Sequence, residues 1–455
     1  MIRKNEYIDN AYKGMPKPKM QPRNRLPVSL FLIGAIALLS SCSSANPTDA
    51  SRTTVSDEPV HLTFYARQTI SEEDFKLIFT EPLKKRYPHL TLEKIDAAKS
   101  KIEDLIAAGQ TPDIIFTYGA DLKSLEPLHF LSDQTPFIKQ QNIDINRFDP
   151  VVVSAAKDEK GLYALPLAVQ FNALYYNKDI FDKFGVPYPK DGMTWDDTIE
   201  LAKKVTKMQD GVQYRGLDPE SLNRMSFSKS LTYLDAKTEK AAIGSAEWRK
   251  MFEMMYAIYN IPGNKPQDLK KSTSVSASLD AFAKEKVVAM WPSVNVLTNL
   301  IEAEKQGVNW DMVQYPSYKE SPNVYGTVDA HFMLVTSTSK HQAEAMKVIA
   351  LATSDEVQTI SAKQTGRFTP LASDQVKKQF MAGNPGLNGK HMDAIFKSKT
   401  APPQQFTKYE GGARNFAYNA LVDYVEGKVD LNTMIRNTEE AINQYVVTQK
   451  AGEKK

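Results

Sequence analysis

The sequence predicts an α/β protein of two domains. Three observations carry that expectation. The chain has 455 residues, more than one hydrophobic core usually organises. Its globular part opens with a β-α-β-α-β alternation, the pattern of an α/β domain with a mainly parallel sheet. The stretch 159–206 then reads as a chain that leaves one domain, crosses a gap and founds a second. There a charge-free apolar run, Leu162–Tyr176, meets a polar break at Asn177-Lys178-Asp179, and Pro187 and Pro189 hold the next segment extended.

Taken in order, Val60, Leu62, Phe64 and Ala66 alternate as in a strand. Ser71-Glu72-Glu73-Asp74 opens a helix with Phe75, Ile78 and Phe79 inward, which Pro82 is expected to break or kink. Leu90–Ile95 is the second strand. Lys99–Ala108 is a helix with Ile102, Leu105 and Ile106 on one face, stopped by Gly109, and Asp113–Thr117 is the third strand. The length of Leu162–Tyr176 suits two strand segments or one long bent one. Thr194, with Asp197 three residues on, caps a helix whose inner face is Trp195, Ile199, Ala202 and Val205. The chain from Trp195 to Ala303 reads as mostly helical. Asp311–Tyr315 is a short strand, residues 325–329 a second crossing, and Phe332–Val335 a return to the first sheet, backed by a helix over His341–Ala352. Helices around Ala413–Val425 and Leu431–Val447 finish the chain, the last with Leu431, Ile435, Thr438, Ile442 and Tyr445 at helical spacing.

Composition is that of an ordinary globular protein, 42% hydrophobic and 24% charged. The formal net charge is +3, but residues 1–41 hold seven Lys/Arg and two Asp/Glu; without them 50 basic residues face 52 acidic ones, near −2. That balance argues against nucleic acid or a polyanion as partner. The basic runs Lys84-Lys85-Arg86 and Lys377-Lys378 read as solvated helix faces. The single cysteine, Cys42, follows the apolar run Val28–Leu39, which has the length of a signal-peptide core and is short for a membrane span. Leu39-Ser40-Ser41-Cys42 resembles the lipobox of bacterial lipoprotein precursors. This implies cleavage before Cys42, a diacylglyceryl group on its sulfur, and a signal peptide over 1–41. Met15 and Met20 offer shorter starts than Met1, and the ordinary signal length favours a start later than Met1. Residues 43–58 are Ser/Thr-rich, so 42–58 is expected to be a flexible tether.

Four pieces carry a family resemblance. They are Gly161-x-Tyr163-Ala164-Leu165-Pro166, Leu174-Tyr175-Tyr176-Asn177-Lys178-Asp179-x-Phe181, Phe184-Gly185-Val186-Pro187-x-Pro189 and Thr194-Trp195-Asp196. In this order and spacing the chain resembles the extracellular solute-binding proteins of sugar ABC importers, the maltose-binding-protein-like family 1 lipoproteins. Ala107-Ala108-Gly109-x-x-Pro112-Asp113-Ile114 and Ala281-Phe282-x-x-Glu285-Lys286-Val287-Val288-Ala289-Met290 resemble further segments of that family, the second a helix and a strand ending at the cleft. Gly366-Arg367-Phe368-Thr369-Pro370 resembles its third crossing. The resemblance implies a type II periplasmic-binding-protein-like fold, with discontinuous domains joined by hinge crossings around a ligand cleft. One lobe is expected over 59–168 plus 330–366 and the other over 172–325 plus 371–447. It also implies capture of a mono- or oligosaccharide, delivery to an ABC permease, and a lipid-anchored monomer on the extracellular face of the membrane. A peptide, a polyamine or an acidic oligosaccharide are the alternative solutes.

No catalytic signature stands against this. The six histidines include no HExxH pair, and no GxSxG or GxGxxG is present, so neither an enzyme, a metal site nor a cofactor is expected. In the loop 383–390, GNPGLNGK, the glycine spacing is wrong for a phosphate loop and His391 stands where Ser or Thr belongs. Tyr175-Tyr176 would suit ferric ion only if both rings reached one point; on a strand they face opposite sides. In open α/β sheets ligands sit beyond the carboxyl ends of the strands, which nominates Arg67 and Gln68, Tyr118 and Asp121, and Gln170 and Phe171 at the first crossing. Trp291 follows the strand ending at Met290. Asp329 lies at the second crossing with His331, read as a structural histidine, beyond it, and Arg367 lies at the third. Aromatic faces, carboxylates, amides and Arg together suit a sugar, and the Arg67–Arg367 pair keeps an acidic sugar open.

Overall fold

The computed structural model describes residues 58–326 and 328–453. The segment expected to be a signal peptide, the expected lipobox at Cys42 and most of the expected tether lie outside them. The described chain contains two five-stranded sheets.

The first sheet begins with β1 (Val60–Ala66). Helix α1 follows as Glu72–Phe75, a π turn Lys76–Thr80 and Glu81–Arg86, capped by Ser71, whose hydroxyl accepts from the Asp74 N–H. Pro82 does not end this helix. The π turn, in which Glu81 N–H bonds back five residues to Lys76, widens the helix just before the ring. β2 (Leu90–Asp96), helix α2 (Ile102–Ala107) and β3 (Ile114–Tyr118) complete the predicted alternation. α2 is shorter than expected, and Ile106 is exposed.

Leu162–Tyr176 becomes two strands in two different sheets. β4 (Leu165–Val169) lies at the edge of the first sheet and β5 (Asn172–Asn177) inside the second. Only Gln170 and Phe171 separate them. Both strands are buried throughout, which explains a run without charge. Asn177 caps α3 (Lys178–Phe184), which ends on Gly185 at φ +62°. Thr194 and Asp197 form a reciprocal capping box on α4 (Trp195–Val205), whose inner face is the predicted one.

The region after α4 is less helical than expected, because it supplies strands of the second sheet. These are β6 (Lys207–Gln209), β7 (Val212–Leu217) and β8 (Val288–Val294). Helices α5 (Leu222–Phe227) and α6 (Ala246–Tyr259) lie between the last two, and β9 (Trp310–Gln314) follows. The second sheet has the order β9-β5-β8-β7-β6. β10 (Ala330–Val335) then returns to the first sheet, whose order is β2-β1-β3-β10-β4. It runs antiparallel to both β3 and β4, so four strands of the first sheet share one direction. α7 (Gln342–Ala352) and α8 (Asp355–Gln364) follow it. Near the third crossing Phe368 bridges to Val169, and Leu371 to Phe148.

The chain closes with α9 (Glu410–Val425) and α10 (Leu431–Glu453). They approach closely at Gly412, where a Cβ would fall 2.1 Å from the Tyr445 hydroxyl. Each sheet packs its own core. One cluster surrounds Phe64, Phe116 and Leu334 on the first sheet. Two others cover opposite faces of the second, one holding Tyr176 and Trp195, the other Tyr175 and Trp291. Tyr175 and Tyr176 thus face opposite sides. No described helix is long and apolar enough to cross a membrane.

Candidate functional site

The carboxyl ends of β1, β3 and β4 and the start of β10 converge on one edge of the first sheet. Gln68, Tyr118, Gln170, Asp329 and His331 line that edge, and they face Glu220, Asn223, Arg224, Phe227, Arg414 and Tyr418 across a cleft of about 330 Å³. The opposite wall comes from the turn after β7, from α5 and from α9. Two crossings form the floor and are pinned to each other. Gln170 N–H donates to the Asp329 carbonyl at 2.7 Å. The Asn172 side-chain amide donates to the Tyr325 carbonyl at 3.1 Å, and the Tyr325 hydroxyl to the Gln170 carbonyl at 3.3 Å.

A buried charged network lies on this floor. Arg224 Nε donates to Glu220 Oε1 and Arg224 Nη1 to Asp329 Oδ2, both at 3.1 Å. The other Glu220 oxygen accepts from Trp291 Nε1 at 3.2 Å and from the Ser293 hydroxyl. Glu220 is 1% exposed and has φ +62°, a left-handed conformation that costs a non-glycine residue about 1–2 kcal/mol. Its N–H bonds to Asp218 Oδ1 at 2.9 Å, so the turn is fixed from both ends. Burial alone would lower the Arg224 guanidinium, but the carboxylates of Glu220 and Asp329 outweigh it and hold the group above its ordinary range. A buried trio of this kind persists because each charge is hydrogen-bonded to another.

The remaining groups are polar and several have open valences. Burial, then Asp329, raises the Tyr118 hydroxyl well above the usual phenol range, so it stays a neutral donor and acceptor. Burial lowers His331 to about 4 against the opposing pull of Asp329, which keeps it neutral at physiological pH. Its ring stands edge-on to Phe116 at 5.6 Å. His331 Nδ1 and Gln170 Oε1 are buried and have no hydrogen-bond partner among the described residues. The Arg414 guanidinium makes no side-chain hydrogen bond or ion pair among the described residues, and its charge acts on Tyr118, Tyr233, Glu410 and Tyr418. A narrow extension of the cleft, lined by Tyr118, Asp121, Tyr233 and Arg414, continues between β3 and α9.

The structure brings Gln68, Tyr118, Gln170 and Asp329 together in the cleft and sets Asp121 in its extension. It places the other nominated residues elsewhere. Arg67 donates to Ser124 Oγ at 2.9 Å and does not line the cleft. Phe171 is buried against Phe368 and Phe380, because its ring turns into the second core. Trp291 is fully buried between Tyr175 and Phe282. Its strand does not end at Met290 but runs to Val294, so the cleft end of β8 is Val294 and Trp291 acts from behind the wall through Glu220. Arg367 is held by Asp74 at 3.1 Å.

Sequence reading missed Glu220, Arg224, Arg414 and Tyr418. The string Asp218-Pro219-Glu220-Ser221, a turn directly after a strand, was the available signal for the first two. Glu410, Arg414 and Tyr418, four residues apart on one face of α9, were the signal for the last. A larger hollow of about 410 Å³ lies between α4 and α6. Its rim charges pair with one another, Lys319 with Asp196 and Lys229 with Glu320, and it touches neither crossing. Among the described residues no group of three or more His, Cys, Asp or Glu side chains is placed to hold a metal ion.

This architecture matches known proteins. A family model described as bacterial extracellular solute-binding protein matches residues 88–386. The multiple sugar-binding protein of Streptococcus mutans is 21% identical over 338 residues, 71% of this chain and 77% of that one. A binding protein of Brucella abortus is 24% identical over 251 residues, 53% of this chain, and the match spans 58% of that relative's length. Among solved structures, an ABC substrate-binding protein of Listeria monocytogenes in complex with cycloalternan superposes with a TM-score of 0.72 at 16% identity, covering 86% of this chain and 99% of that one. The sugar-binding protein MalE of Xanthomonas citri gives 0.68 at 18% identity, covering 86% and 98%. At these identities the structural matches speak for the fold, an α/β periplasmic-binding-protein-like architecture. The family model spans well over half of the sequence, and the chain therefore belongs to the bacterial extracellular solute-binding proteins, a family of binding proteins rather than enzymes.

Proposed function

We propose that this protein captures a carbohydrate in the cleft between its two sheets and delivers it to the permease of an ABC importer, while a lipid on Cys42 tethers it to the extracellular face of the membrane as a monomer. The observation that carries this reading is the composition of the cleft. Its carboxylates, Glu220 and Asp329, are both engaged by Arg224, while Tyr118, Gln170, His331 and Arg414 retain open hydrogen-bonding valences beside the Tyr418 and Phe227 rings. Such a lining serves hydroxyls and the C–H faces of a sugar ring. The relatives whose names mention sugar or cycloalternan are consistent with it.

In this reading the lobes are 59–168 plus 330–366 and 172–325 plus 371–447, each built on one sheet. A solute that touches both walls binds the closed form more tightly and shifts the hinge equilibrium toward it. Neither a peptide nor a polyamine gains a specific observation here. The acidic-sugar alternative loses two of its supports, since Arg67 and Arg367 are committed to Ser124 and Asp74.

The test is a thermal-shift screen of the chain from residue 43 onward against neutral and acidic mono- and oligosaccharides, with peptides and polyamines alongside. A native-state ligand at about a hundred times its dissociation constant adds about 2.7 kcal/mol. A shift with one saccharide class names the solute. A shift only with peptides or polyamines overturns the carbohydrate reading.

A further inference from the structure

The charged trio on the cleft floor joins the two sheets. Glu220 belongs to the second-sheet side. It follows β7, and its carboxylate is held by Trp291 and Ser293 of β8. Asp329 belongs to the first-sheet side. It immediately precedes β10, whose Ala330 pairs with Val169, and its carbonyl accepts from Gln170. Arg224 stands between them, one nitrogen on each carboxylate, and its Nη1 also lies 3.5 Å from Asn172 Oδ1.

We propose that Arg224 is a positioning residue that sets the angle between the two cleft walls in the ligand-free protein, by holding Asp329 of the second crossing to the Glu220 turn. The Arg224–Glu220 contact lies within one side of the molecule and survives any rotation of the sheets. The Arg224–Asp329 contact spans the crossing, so a rotation that separates the walls must break it. Asn172, on β5 beside the crossing, offers the released Nη1 an alternative acceptor, so breaking the contact does not strand a buried cation. The trio therefore distinguishes two wall arrangements, one in which Arg224 Nη1 is shared between Asp329 and Asn172, as in this structure, and one in which it is left to Asn172 alone. The left-handed Glu220 fits this role. It aims one carboxylate oxygen at the strand and the other at Arg224, which fixes the anchor from which Arg224 reaches across. The contact weights the hinge equilibrium on which solute capture depends, and so rests on the proposed function; the readout below requires no solute.

The test uses dye labels at Lys84→Cys, exposed on α1, and Lys204→Cys, exposed on α4, in a chain lacking Cys42. Single-molecule distance distributions are recorded without ligand. Asp329→Asn removes the spanning charge and leaves the Arg224–Glu220 pair intact. It is expected to move the distribution away from the wild-type one, changing the ratio of the two populations about tenfold or more, the effect of losing one charge-assisted hydrogen bond. Asn172→Ala and Asn172→Asp both remove the hydrogen bond to the Tyr325 carbonyl, but only Asn172→Ala removes the remaining acceptor for Arg224, so Asn172→Ala is expected to move the distribution the opposite way and Asn172→Asp is not. Circular dichroism melts of all three variants separate these shifts from loss of fold. Coincident distributions in folded Asp329→Asn and wild-type chains overturn the inference, and so does a shift of Asp329→Asn and Asn172→Ala in the same direction. Failure of every saccharide to bind overturns the carbohydrate reading and leaves this result standing on its own.

Discussion

Glu220→Gln tests the chemistry of the cleft floor most sharply, because it removes a charge and almost no volume. The carboxylate accepts from three donors, Trp291 Nε1, the Ser293 hydroxyl and Arg224 Nε. An amide in its place offers one acceptor and turns an N–H₂ group toward a donor. Breaking a buried ion pair by removing one partner costs about 3–5 kcal/mol. Arg224 keeps Asp329, so the lower end applies, about 3 kcal/mol. Unfolding entropy of about 2.1 cal/mol/K per residue, taken over the chain, converts this to a fall in Tm of about 3–4 °C. Differential scanning calorimetry at pH 7 measures it. Ser293→Ala supplies the internal control. In the wild-type background it removes a hydrogen bond to a charged group and costs about 1.5 kcal/mol or more; in the Glu220→Gln background it should cost less, since any hydrogen bond that remains is between neutral groups. A Glu220→Gln chain within about 1 °C of wild type, or strict additivity with Ser293→Ala, would refute the network as described.

Other outcomes follow from the same contacts. Arg414→Ala should weaken binding of the identified solute at least about tenfold with Tm unchanged, whereas Arg67→Ala and Arg367→Ala should leave its Kd within about threefold; titration calorimetry separates the cases, and equal losses in all three would remove Arg414 from the site. Thr194→Ala removes a hydroxyl that accepts from Asp197 N–H at 3.2 Å and donates to its carboxylate at 2.6 Å, and should cost about 1 kcal/mol. Hydrogen bonds from Thr194 hold Asp197 below its ordinary value, so that stabilisation is complete above the unfolded carboxylate range and is lost as pH falls through the lower folded value; urea titrations at pH 7 and pH 3 should show the Thr194→Ala penalty shrinking. Glu410 has the opposite sign. Burial raises it to about 7 despite the hydrogen bond from Tyr233 N–H at 2.6 Å. Its protonated form therefore favours folding below its unfolded value, and that contribution is lost as pH rises through 7. Glu410→Gln should leave the unfolding free energy unchanged at pH 4 and raise it at pH 8, by at most about 3 kcal/mol, as read by urea titration; no gain at pH 8 would count against a buried, costly carboxylate there.

The fold was legible where local chemistry and tertiary role coincide. The charge-free run Leu162–Tyr176 could be uncharged only if both faces were covered, and the structure places its halves inside two sheets. Thr194 and Asp197 satisfy each other within one turn, so their capping box needed no distant partner. Pro82 shows the limit of such reasoning. The ring removes one helical hydrogen bond, but a five-residue turn upstream absorbs the change at a point no residue type announces. The cleft divides in the same way. Tyr118 and Gln170 stand at strand ends visible as ends, because a polar or turn-forming residue follows an apolar run. Trp291 was expected just beyond a strand ending at Met290, yet β8 runs on through Pro292 to Val294, and the indole turns into the core. Its polar edge then does from behind what its face was expected to do in front. It donates to Glu220, which holds Arg224, which holds Asp329. Glu220 lies 71 residues from Trp291, and Arg224 105 from Asp329. Neither acid is near its partner in sequence in a way that distinguishes it from the many solvated acids of the chain. The sequence could therefore show where the sheets end; which charges meet there was decided by the order in which the crossings thread the two sheets.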